Sequence, residues 1–159
     1  MTLANKRPAW VAGAIFALLG IGGCTSASGR FIAPPAIGNE AVMRDLDSLL
    51  LDNPLAAGEN IKAIALQRSA HSAHVLVQVR DREPVHYHAD SDITVLMLRG
   101  SGVIHMGKQV LATKAGDAIF VPRGAVHYFV NTGNNPAAAL VTYSPPPGPD
   151  DRVLVSPAP

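Results

Sequence analysis

From residue 60 onward, apolar positions come in short alternating runs instead of recurring every third or fourth residue. Residues 60–68 open the series. Val75, Val77 and Val79 then alternate with Leu76, Gln78 and Arg80, a strand with one plainly apolar face. Further strands are predicted over 93–99, 103–106, 109–113, 118–121, 126–130 and 138–143. Turn residues separate them: Gly100 and Gly102, Gly107, Gly116 with Asp117, Pro122 with Gly124, and the cluster from Thr132 to Pro136. Many short strands at even spacing predict an all-β sandwich or barrel. Upstream the period changes. Val42, Met43, Leu46, Leu49 and Leu50 recur at helical spacing, with Arg44, Asp45, Asp47 and Ser48 between them. A short amphipathic helix is predicted over 40–52, stopped by Asn53 and Pro54. It and its linker, residues 40–58, lie against the outside of the domain. Residues 146–159 are Pro-rich and predict a tail, extended along the surface or unordered past Asp151.

The first residues carry a different pattern. Lys6 and Arg7 precede an uncharged apolar run over 10–23. That run is too short to span a bilayer as a helix, which takes about 20 residues. It has the length of a secretory signal core. It ends in Ile21, Gly22, Gly23 and Cys24, which resembles a bacterial lipobox, the aliphatic and small residues before a cysteine that is acylated. Cys24 is the one cysteine of the chain, so no intramolecular disulfide forms. The expected layout is a signal peptide over 1–23, a flexible tether over 24–39 and a partner membrane reached through lipid on Cys24. Thr25 stands where an Asp would retain a lipoprotein at the inner membrane. The outer membrane, facing the periplasm, is therefore the expected location.

Composition narrows the class. The chain has 159 residues, 48% of them hydrophobic and 5% aromatic. That is enough for one domain with a modest core. The formal net charge is +1 and no basic run exists, so a nucleic-acid partner is excluded.

The chemistry concentrates between Pro84 and Asn131. His86 and His88 are two apart, so both imidazoles leave an extended segment on the same face. Asp92 follows within reach of a tight turn. His127, Phe129 and Asn131 share a face of a later strand. Three neutral imidazoles and a carboxylate suit a first-row divalent metal with open coordination positions. Zinc, copper, manganese and iron all fit this donor set.

At these residues the chain resembles the cupins. Their second motif is matched at each fixed position by Gly116, Pro122, Gly124, His127 and Asn131. Their first is matched by His86 and His88. It departs at Asp92, where the family usually has Glu, and at Gly100, one residue late; Arg80 stands in place of the leading glycine. The resemblance covers residues 59–145. It implies a small antiparallel jelly-roll β-barrel with metal inside, bound by His86, His88, Asp92 and His127. It also implies a homodimer. The shortness of Asp92 leaves open a role orienting a histidine instead of touching the metal. Arg123, at a turn beside the barrel mouth, and Phe129, on the His127 face, are the candidate ligand-binding side chains. His71, His74 and His105 carry no comparable signal.

Fold does not choose among cupin activities. Three functions follow as expectations: a metal-binding envelope lipoprotein that takes a small-molecule ligand, a metal-dependent oxidoreductase such as a dioxygenase acting on a small anion, and a structural module of the envelope.

Overall fold

The computed structural model describes residues 30–33 and 42–156. The signal peptide, Cys24 and most of the expected tether lie outside the described residues. Twelve strands and one helix are defined among those that remain. β1 (Arg30–Ala33) pairs antiparallel with β2 (Val42–Asp45), and α1 (Leu46–Asp52) follows directly.

The helix is therefore shorter than its pattern predicts. Asp45 ends β2 in an extended conformation and caps α1. Its carboxylate accepts from the Ser48 N–H at 2.8 Å and from the Ser48 hydroxyl at 2.7 Å. Those bonds also hold the Asp45 carboxyl below its ordinary range. The cap fixes the start at Leu46, and the apolar residues before it go into a strand. The stretch expected as tether likewise contains β1.

The domain proper is two five-stranded antiparallel sheets, the jelly-roll that the cupin resemblance implies. One holds β3 (Ile61–Arg68), β4 (Ala73–Val79), β11 (Ala137–Ser144), β6 (Asp92–Arg99) and β9 (Ala118–Val121), side by side in that order. The other runs β12 (Arg152–Leu154), β5 (His86–His88), β10 (His127–Asn131), β7 (Ser101–Met106) and β8 (Gln109–Lys114). β12 is the departure here. Residues 152–154 form a ladder with β5, with Arg152 opposite His88 and Leu154 opposite His86, so part of the stretch expected as a tail belongs to the barrel.

Alternation decides what each face does. Ile93, Val95 and Met97 of β6 point inward and pack with Val79, Ile104, Val121, Phe129 and Val141. On the outer face Leu76 and Ala138 meet Leu46 and Leu49 of α1. Burying each of those two leucines contributes about 1.5–3 kcal/mol. An ion pair from Arg99 to Asp47 ties the exposed side of the helix to β6. A β-bulge between Ala138 and Ala139 shifts the ladder with β6. Small residues in β11 leave the interior open where larger ones would fill it. The Phe129 ring packs closely against Gly102, where an added Cβ would come within 2.2 Å of it.

Candidate metal centre

β5 and β10 are neighbours, and His86 and His127 are register partners across them. His88, two residues along β5, leaves the sheet on the same face as His86. The three imidazoles are buried at 3%, 4% and 3% exposure for His86, His88 and His127. One ring nitrogen from each lies within 4.8 Å of the other two. Ring centroids stand 4.4 Å apart for His86 and His127, 5.3 Å for His86 and His88, and 5.6 Å for His88 and His127.

Each ring is oriented through its other nitrogen. The His86 Nδ1 lies 2.8 Å from the Pro84 carbonyl and the His127 Nδ1 lies 2.9 Å from the Ala125 carbonyl. The His88 Nδ1 lies 2.7 Å from Oδ2 of Asp151. A carbonyl and an ionised carboxylate can only accept, so each Nδ1 carries a proton and each Nε2 is the nitrogen left for another partner. Burial lowers the pKa of His86 to about 3, with the neighbouring imidazoles and Arg152 adding to it, and burial lowers that of His127 as well. Both rings are neutral near pH 7. Three oriented, inward-facing imidazoles are a fitting donor set for a divalent metal.

Asp151 was not foreseen. It is 1% exposed, and it accepts from the N–H groups of Asp90 at 2.8 Å and Ser91 at 2.9 Å as well as facing His88. Burial works to raise its pKa, but the Asp90 and Ser91 N–H donors and the His88 contact outweigh it and hold the group ionised. A second link fixes the same strand: the Gly124 N–H donates to the His88 carbonyl at 2.7 Å. Gly124 has φ +76°, a conformation glycine adopts without strain.

Asp92 does not join the imidazoles. It begins β6, one residue before the inward-facing Ile93, so alternation turns it outward. Its carboxylate accepts from the Arg123 N–H at 2.9 Å and pairs with the Arg123 guanidinium at 3.5 Å. The backbone N–H of Arg123, with some help from its side chain, lowers the Asp92 pKa. Both residues thus secure the turn before His127 from outside. Arg123 is exposed and does not line the cavity, which corrects its expected part in ligand binding.

Phe129 does line it. The cavity holds about 180 Å³ between the two sheets, with the imidazoles on one wall and Val77, Val95, Val141 and the β11 alanines on the other. Three more polar groups reach it: Glu83, Tyr143 and Arg152. A carboxylate oxygen of Glu83 accepts from the Phe129 N–H at 3.1 Å. Burial raises the Glu83 pKa, opposed by that N–H and by Arg152. Burial also pushes the Tyr143 phenol up to about 12, with Glu83 adding to it. The Tyr143 ring meets His88 edge-on at 5.2 Å. In the sequence the one sign of Glu83 was an acidic residue three positions before His86.

The remaining candidates lie elsewhere. His105 stacks on Tyr128 at 4.3 Å on the outer face of the sheet, with Arg82 over the same tyrosine at 5.1 Å. The Nδ1 of His74 is 3.1 Å from the Thr142 hydroxyl, and His71 is exposed on a turn. Asn131, the last residue of the second motif, donates to the Arg80 and Asn135 carbonyls at 2.7 and 2.9 Å and so holds a strand end.

Comparison with known proteins agrees with this geometry. The family model for the cupin domain matches residues 73–143. An uncharacterized protein of Aquifex aeolicus is 31% identical over 113 residues, which are 71% of this chain and 92% of that one. The crystal structure of TT1209 from Thermus thermophilus superposes with a TM-score of 0.57 at 30% identity, covering 65% of this chain and 97% of that one. KdgF from Halomonas sp. reaches 0.51 at 18% identity, over 54% and 81% of the two chains, a likeness of fold alone. The chain belongs to the cupin superfamily.

Proposed function

We propose that this protein is a metal-binding cupin that receives a small molecule in its barrel, held at the bacterial cell envelope by lipid on Cys24. The observation that carries the metal reading is the orientation of the three imidazoles. Each Nδ1 is committed to an acceptor, which leaves three Nε2 atoms for one ion. A divalent metal there would supply a Lewis acid with open coordination positions beside the cavity. Zinc bound by three imidazoles and a water is a common form of such a site. Copper and manganese also suit imidazole with added waters. A chain exported unfolded acquires its metal outside the cytoplasm, where availability decides. Elemental analysis of protein extracted from the envelope tests this: zinc or copper near one per chain is expected, and a metal-free protein that takes up no zinc would overturn it.

The envelope reading rests on the sequence of residues 6–25 alone. A Cys24→Ser variant is expected to leave the membrane fraction, and one that sediments as the wild type does would refute the anchor.

A second reading, an enzyme acting on a small anion, is favoured by Glu83 and Tyr143. Both are ionisable side chains lining the cavity, with pKa values raised by burial. Glu83 can exchange a proton with a bound molecule, and the surrounding apolar wall keeps bulk water from competing. Turnover of a carboxylate or enol by metal-loaded protein, lost in Glu83→Gln while metal content holds, would support it. Equal turnover in that variant would refute it.

A further inference from the structure

β12 lies beyond the stretch that the cupin family model matches, yet it brings two adjacent side chains to the site. Asp151, the residue just before it, orients His88. Arg152 is the register partner of His88, so the two side chains leave the sheet on the same face. Arg152 lines the cavity with the imidazoles, Glu83 and Tyr143, and as an exposed residue it stands where the cavity meets solvent.

Arginines elsewhere in the domain are engaged. Arg68 donates to the Pro147 carbonyl, Arg80 to those of Glu59 and Ala56, Arg99 pairs with Asp47, and Arg123 pairs with Asp92. Arg152 differs. Among the described residues no hydrogen bond or ion pair holds its guanidinium. Glu83 shares the cavity, but the two are not within ion-pair distance.

Charge makes that guanidinium informative. With Asp92 turned outward, the three donors to a divalent ion are neutral. The ion and Arg152 together bring three positive charges; the ionised Asp151 against His88 offsets one, and Glu83 can offset a second. Apart from the Tyr143 phenol and the imidazoles, the rest of the wall is valine, isoleucine, alanine, methionine and phenylalanine. Uncompensated positive charge beside an apolar wall is costly, and an anion relieves it. The same wall argues against a polyhydroxylated ligand, whose hydroxyls would lose their partners in water and find few here.

We propose that the cavity takes a small carboxylate with a short apolar body, its charged end held by Arg152 at the mouth and its charge balancing the metal site. This rests on the metal reading above. The planar guanidinium fork matches a carboxylate, and the about 180 Å³ available limits the body to a few carbons.

The test is calorimetric titration of zinc-loaded, full-length protein with isobutyrate and pyruvate, and with isobutyramide as the neutral counterpart of the first. Zinc content is measured on every variant. The acids are expected to bind at least tenfold more tightly than the amide. Arg152→Gln is expected to weaken both acids at least tenfold at unchanged zinc content, Arg152→Lys to recover part of the loss, and Glu83→Gln to tighten binding. Undiminished binding in Arg152→Gln at full zinc would overturn the inference, since the acid would then sit on the metal alone. So would an amide that binds as well as the acid. A wild-type protein that takes no zinc would instead bring down the metal reading, and this inference with it.

Discussion

The two ends of the His86–His88 pair are held in different ways. His86, like His127, is oriented by a carbonyl two residues earlier on its own chain segment, Pro84 in one case and Ala125 in the other. Those bonds form as soon as the strand does. His88 is oriented by Asp151, sixty-three residues later. That bond exists only when β12 is docked against β5. Two ligands are thus locally determined, and the third depends on a strand that follows the rest of the barrel. The difference separates residues that would donate lone pairs to a metal from a residue that aims one of them.

The strongest challenge to this contrast is to remove a ligand outright. His127→Ala takes away the only imidazole from β10 and leaves the β5 pair on one side of the site. Metal binding is expected to be abolished, with zinc below about one-tenth per chain by elemental analysis. Asp151→Asn is the next largest perturbation. The amide keeps the shape but presents an uncharged partner to His88. Zinc affinity is expected to fall about tenfold to a hundredfold, measured by competition with a chelator. A change within twofold would show that His88 holds its orientation without Asp151.

Most of the barrel was legible in the alternation of apolar residues, because strands with one buried face must show it. The second motif was equally legible, since Gly116, Pro122 and Gly124 mark turns and His127 follows at a fixed offset. β12 was not. Arg152, Val153 and Leu154 are too few to show a period, and the prolines on both sides give them the composition of a tail. Asp151 and Arg152 were lost with it. Asp92 could have been placed correctly by parity: if Ile93, Val95 and Met97 face the core, Asp92 faces out. The family pattern pointed inward and prevailed. β2 was masked by coincidence, because Val42 and Met43 fit a helical period with Leu46 and Leu49 over so short a run. The capping preference of Asp45 was the signal that separated them.

Acid sharpens the contrast at moderate strength. The metal-free protein keeps His86 and His127 neutral in the folded state, with pKa values below that of an exposed imidazole. An unfolded chain binds protons at those positions from about pH 6.5 downward. The folded state does not follow until far lower, about 3 for His86. Stability from these two groups is therefore full above about pH 6.5 and declines as pH falls through that window. Asp151 adds its own loss only below its unfolded pKa, near about 3.9. The melting temperature of the metal-free protein should drop steadily between pH 6.5 and 4, before Asp151 contributes. The His86→Gln variant should show a shallower slope. A melting temperature flat across that range would contradict the burial of neutral imidazoles.

The smallest effect belongs to Asp92, and its smallness separates this site from one with four protein ligands. Asp92 bonds the Arg123 backbone and guanidinium, on the outer side of the turn that precedes His127. Two other contacts hold the same region without it. The Gly124 N–H reaches the His88 carbonyl at 2.7 Å, and the Ala125 N–H reaches the Pro122 carbonyl at 3.1 Å. His127 is also fixed by the β10 ladders to β5 and β7. Asp92→Ala therefore removes one support of a turn that keeps several. Zinc affinity is expected to stay within about threefold of wild type, well short of the about tenfold or greater loss that follows disturbance of a group aiming a ligand. Arg123→Ala, which deletes the other half of the pair, should behave alike, and the double variant should add nothing to the loss in zinc affinity. A hundredfold loss in Asp92→Ala alone would mean that the carboxylate swings inward to the metal, and the site would then have four protein ligands after all.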